Sequence, residues 1–68
     1  MTNLSDTINS RIKRARQAAG LTQQQLADKS GIHRVSIANI ERGLWEPGLD
    51  SIRCIADALG VAYKRLLP

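Results

Sequence analysis

The sequence contains one cysteine, Cys54, and one histidine, His33. A lone thiol permits no internal disulfide, which fits a reducing compartment. The two residues are too few for a metal site and too far apart in sequence for a convincing nucleophile–base pair. Cys54 is expected at an exposed helix position as an inert thiol. Only Trp45 and Tyr63 supply aromatic rings. With threonine they are too scattered, and period-two alternation too rare, to suggest strands. No apolar run approaches the ~20 residues that span a membrane, and the N-terminus lacks a signal-peptide core. A soluble protein that stays in the cytoplasm is therefore expected. There is no glycine-rich phosphate loop and no pair of carboxylates on one helix face. An enzyme is not expected, nor any cofactor, metal or small-molecule ligand.

Acidic residues are also scarce, at six against ten lysines and arginines, for a net charge of +4. A basic excess suits a polyanionic partner without identifying one. Six of the ten cations, Arg11, Lys13, Arg14, Arg16, Lys29 and Arg34, lie in the first half. The 68 residues give room for one domain over 1–68. A chain this short buries only about 60% of its unfolded surface, so dimerisation would add stability.

What is present is helix punctuation. Gly20, Gly31, Gly43 and Gly60 each follow a segment of helical periodicity, as left-handed C-caps do. Leu4, Ile8, Ile12, Ala15 and Ala19 form one apolar stripe over 5–19, with Arg11 and Arg14 off it. A second helix, 23–29, starts from Thr22, with Gln25 completing a capping box and Leu21 and Leu26 forming a hydrophobic staple. A third spans 33–42, with Ile37 and Ile40 as core residues and Ile32 packing at its entry. A fourth follows Pro47 and Gly48, burying Leu49, Ile52, Ile55, Ala56 and Leu59. A final turn over 62–67 supplies Tyr63, Leu66 and Leu67. The expected architecture is an all-α, five-helix globule.

Residues 23–42 are the most informative. Two short helices crossing at roughly 90–120° need a small residue at their contact, a glycine in the turn and apolar residues inside the second helix. Ala27, Gly31, Ile37 and Ile40 fill those roles. From Arg11 to Leu67 the sequence resembles the lambda-repressor/Cro-type, or XRE-like, helix-turn-helix family. The resemblance rests on RIKRARQAAGLTQQQLADKSGI, SIANIERG and EPGLDSIRCIADALGV. It implies a lambda-repressor-like DNA-binding domain, bacterial or phage-encoded, in a compact repressor or a restriction–modification controller protein.

If the third helix enters the major groove, its outward residues meet base edges. Arg34 can donate twice to guanine, Asn39 can pair with adenine, and Val35 suits a thymine methyl. His33 belongs with this set. Singly each is equally well explained as solvated surface; together on one face they favour base readout. The resemblance implies that Gln23 bonds a phosphate through side chain and backbone, and a helix N-terminus favours that physically. Arg11, Arg14, Arg42 and Ser36 are further phosphate candidates, with solvation, or for Ser36 its own backbone, as the alternative. The resemblance also implies a buried ion pair between Arg16 and Glu41.

Three positions depart from the family: His33 at the N-cap of the recognition helix, Trp45 in the loop after it, and Ala62 before the last helix. The expected partner is double-stranded operator DNA, bound by a homodimer with recognition helices about 34 Å apart. Interface candidates are Leu44, Trp45, Ile55, Val61, Tyr63 and Leu67, with core packing an equal explanation for Ile55 and Val61. Repression by occupancy is the leading expectation. Contact with RNA polymerase leaves activation open, and an antitoxin on the same fold is the competing function. With 68 residues in one domain, no separate toxin-binding arm is expected.

Overall fold

A computed structural model of the chain describes residues 7–68. Four α-helices follow in order: α1 (Ile8–Ala18), α2 (Gln23–Ser30), α3 (Arg34–Glu41) and α4 (Leu49–Leu59). The chain then closes with a 3-10 turn, Tyr63–Leu66. The expected fifth helix is thus a single tight turn. No side chain caps its start at Ala62, so there is no local signal to extend it.

Two helices start from reciprocal caps. The Thr22 hydroxyl accepts from the Gln25 N–H at 3.0 Å, and the Gln25 side chain accepts from the Thr22 N–H at 2.8 Å. Thr7 and Ser10 make the corresponding pair at the head of α1. Leu4 and the expected start near Ser5 lie outside the described residues. All four glycines expected at helix ends have positive φ. Gly31 matters most, because its φ of 75° turns the chain between α2 and α3. Its N–H reaches the Ala27 carbonyl at 2.9 Å, closing α2 with no spare residue. A β-carbon there would meet no atom within 4 Å, so only backbone strain restricts the position.

The core is aliphatic and draws on every element. Ile12 of α1, Leu26 of α2, Ile37 and Ile40 of α3, Ile55 of α4 and Leu66 of the turn are all fully buried. Helix α2 packs on α3 and α4, while α1 packs on α3 and the 3-10 turn. The α2–turn–α3 unit therefore rests on a base formed by α1 and α4.

Two burial assignments need correcting, and one interface candidate proves to be core, the other reading given for it. Leu49, expected on the buried face of α4, is half exposed because it is the first residue of the helix. Ala19 is exposed rather than part of the α1 stripe, being the cap residue beyond the last turn. Ile55 has no exposed surface, so this side chain is core and offers nothing to a partner.

Candidate nucleic-acid interface

Burial of both Ile37 and Ile40 fixes the rotation of α3 about its axis. Val35, Asn39 and Arg42, at i, i+4 and i+7, then run along its outward side. Val35 is 50% exposed, a branched apolar side chain among polar neighbours. Arg34 and Arg42 are exposed, while Ser36 and Asn39 are half-buried. Among the described residues, no hydrogen bond or ion pair engages the side chains of Arg34, Asn39 or Arg42. Their donors and acceptors thus face solvent along one helix surface.

The N-cap of α3 is unusual. His33 Nδ1 accepts from the Val35 N–H at 3.2 Å, replacing the usual hydroxyl. An acceptor Nδ1 places the ring proton on Nε2, the outer nitrogen. The exposed ring therefore offers a donor beside Arg34.

The helix is held from behind by an ion pair. Arg16 Nε and Nη2 reach the two Glu41 oxygens at 2.6 and 2.9 Å, while Nη1 donates to the Leu21 carbonyl at 2.7 Å. The side chains are 12% and 2% exposed, so this is a nearly dry, forked interaction. The Glu41 hydrogen bond, helped by its charge, holds the Arg16 guanidinium above its ordinary range against the opposing effect of burial. Raised in this way, the stability that comes from charging Arg16 is present below the usual arginine range and is lost as pH rises into strong alkali.

Gln23 lies at the first position of α2, and its Nε2 donates to Glu41 Oε1 at 3.2 Å. The expected phosphate ligand thus also helps to hold the ion pair. Its backbone N–H is one of those that a helix start leaves unpaired. Arg11 and Arg14 are placed elsewhere. They lie on the opposite flank of α1 from Arg16 and border a groove with Leu59, Val61 and Arg65. Arg11 Nη1 donates to the Arg65 carbonyl at 3.3 Å. The structure does not bring either arginine together with Gln23, Ser36 and Arg42.

Asn9 was not singled out in the sequence. Its Nδ2 donates to the carbonyls of Ile40 at 2.7 Å and Trp45 at 2.9 Å. It lies seven residues before Arg16, on the same flank of α1, so the two hold the C-terminal end of α3 two turns apart. That shared flank with Arg16 was the one available signal. Of the interface candidates, Leu44, Trp45 and Leu67 are exposed. Val61 and Tyr63 pack partly against the core, and Arg53 lies over the Tyr63 ring at 5.1 Å. Cys54 is an exposed free thiol.

A helix-turn-helix family profile matches residues 12–66. The chain belongs to that family. A relative named as the immunity repressor of Bacillus phage phi105 is 42% identical over 61 residues, covering 90% of this chain and 42% of that protein. The chain thus spans less than half of that relative's length. The restriction-modification controller protein C.AhdI from Aeromonas hydrophila superposes with a TM-score of 0.85 at 33% identity, covering 88% of this chain and 91% of that one. The P22 c2 repressor, solved with a synthetic operator, gives 0.80 at 26% identity over 90% and 92% of the two chains. Within this helix-turn-helix family the fold is lambda-repressor-like, and α2 and α3 form the motif.

Proposed function

We propose that this chain is a sequence-specific DNA-binding transcriptional regulator that acts as a homodimeric repressor on a pseudo-palindromic operator. The observation that supports this best is the outer side of α3. Val35 is exposed there beside Arg34 and Asn39, whose side chains make no hydrogen bond or ion pair among the described residues, on a helix fixed from behind by Arg16, Glu41 and Asn9. Arg34 reads guanine, Asn39 adenine and Val35 a thymine methyl, with His33 Nε2–H donating at the same end. Arg42, Ser36 and the N-terminus of α2 at Gln23 position the helix on phosphates. Dimerisation uses Leu44, Trp45 and Leu67, with Val61 and Tyr63 at the margin, and sets two recognition helices one DNA turn apart. The protein works in the cytoplasm of a bacterium.

One observation favours a second reading. The chain covers nearly all of a restriction-modification controller protein, so a compact regulator that also activates through RNA polymerase fits the same surface.

Selection of bound duplexes from a random pool tests the proposal. The expected product is a symmetric pair of half-sites with fixed spacing, whereas enrichment of no sequence would overturn it. Arg42→Ala provides a second check. Loss of one phosphate contact should weaken operator and random DNA alike, and lower the slope of log affinity against log salt by about one. A slope unchanged within error would remove Arg42 from the interface.

A further inference from the structure

The carbonyl end of α3 is closed by bonds that converge on Asn9. Gly43, with φ 76°, sends its N–H to the Ile40 carbonyl, and Leu44 sends its N–H to the Asn39 carbonyl, both at 3.0 Å. This pair of bonds is a Schellman cap. It ties the peptide of the proposed adenine reader to the loop beyond the helix. Leu44 and Trp45 are 67% and 44% exposed, so their side chains give that loop little anchorage in the core. Pro47 is buried and fixes the far end of the loop. Asn9 fixes the near end, since its Nδ2 donates to the Trp45 carbonyl at 2.9 Å and to the Ile40 carbonyl at 2.7 Å. One amide nitrogen of α1 thus spans the end of α3 and the loop that closes it.

The chemistry at this point calls for a side-chain amide. Two backbone carbonyls need two donors, and Nδ2 carries two N–H groups, one for each. A hydroxyl has a single hydrogen, and a carboxylate has none. Without Asn9 the Ile40 carbonyl keeps the Gly43 N–H, so the loss falls on the loop at Trp45. A loop freed there no longer holds Leu44 in place, and Leu44 supplies the bond on the Asn39 carbonyl. The opposite end of α3 is held by other means. His33 caps it, and the left-handed Gly31 joins it to α2, so Arg34 does not depend on Asn9. We infer that Asn9 is a positioning residue for base readout by Asn39, an assignment that rests on α3 being the base-reading helix. Specificity along α3 is then divided, the Arg34 end being set from the α2 turn and the Asn39 end from α1.

The test compares affinity for the selected operator with affinity for two altered duplexes, at one fixed salt concentration. One duplex is changed at the base whose preference Arg34→Ala relaxes, the other at the base whose preference Asn39→Ala relaxes. Asn9→Ala should reduce discrimination at the Asn39 base by about three- to tenfold, the worth of one or two hydrogen bonds. Discrimination at the Arg34 base should hold within error. Asn9→Asp keeps the size but has no donor, so it should reduce discrimination at least as much, whereas a side chain that only filled space would tolerate the change. Ratios of affinities do not depend on the folded fraction. Partial unfolding or a weaker dimer therefore weakens every duplex alike, as Ile55→Val in the core of α4 should, with both ratios unchanged. Amide exchange gives a readout without DNA. The Leu44 N–H should exchange faster in Asn9→Ala, measured against the Ile55 N–H as a core reference. An unchanged ratio at the Asn39 base, an equal fall at both bases, or unaltered Leu44 exchange would overturn the inference. Wild-type protein is titrated alongside. If it discriminates at both bases, failure of the Asn9 variants counts against Asn9 alone. If it discriminates at neither, the reading of α3 fails and the role of Asn9 goes with it.

Discussion

Glu41→Ala should lower the unfolding free energy by about 3 kcal/mol or more, since it strands a nearly dry arginine. At 0.05–0.15 kcal/mol per residue, a domain of this length has only roughly 3–10 kcal/mol in total. The variant should therefore be largely unfolded at moderate temperature. The cause is local and can be counted in bonds. Arg16 keeps only the Leu21 carbonyl, and the Gln23 amide loses its acceptor. An unpaired buried charge is far worse than no charge, so the double variant Arg16→Met/Glu41→Leu should recover most of the loss. Urea denaturation followed by circular dichroism measures both. A single-variant loss below about 1 kcal/mol would show that the pair behaves as an exposed one. The position of α3 would then have to rest on Asn9 and the isoleucines alone.

The parts of this molecule that the sequence reveals are those with local causes. Thr22 and Gln25 stand three apart because the capping box needs that spacing, and the structure makes both bonds. Gly31 marks the turn because a left-handed residue must end α2 there. Ile37 and Ile40 fix the outward side of α3 by periodicity alone. The Arg16–Glu41 pair spans 25 positions, so no spacing rule finds it; only family resemblance placed it. Asn9 stayed hidden for a different reason. Its acceptors are backbone carbonyls, which every residue carries, so Ile40 and Trp45 give no sign of the contact. Arg11 and Arg14 show a third limit. Periodicity sets them off the apolar stripe, but a stripe has two edges, and only packing decides which one meets α3. Leu49 has the right phase on α4, yet the helix begins before the core does, and phase does not report burial at a helix end.

The second large effect concerns specificity rather than stability. Asn39→Ala and Arg34→Ala should each weaken binding to the selected operator by about 1–3 kcal/mol, roughly ten- to a hundredfold, and relax the preference at one position per half-site. Binding to random duplex should change little. Thermal stability should also hold, because neither side chain bonds to its own chain among the described residues. Asn39 is the sharper test. It is half-buried, so its amide has fewer orientations from which to pair with a base than an exposed arginine has. Asn39→Asp keeps the shape but replaces the donor with a second acceptor. The preferred base at that position should then move from adenine towards cytosine, whose amino group a carboxylate can accept. Overall affinity should fall as well, since the new charge approaches phosphates. Titrations of operator and scrambled duplex at one fixed salt concentration separate these outcomes. If Asn39→Ala weakens both duplexes equally, the residue is a backbone contact and the base-reading side of α3 must be sought at Arg34 and Val35.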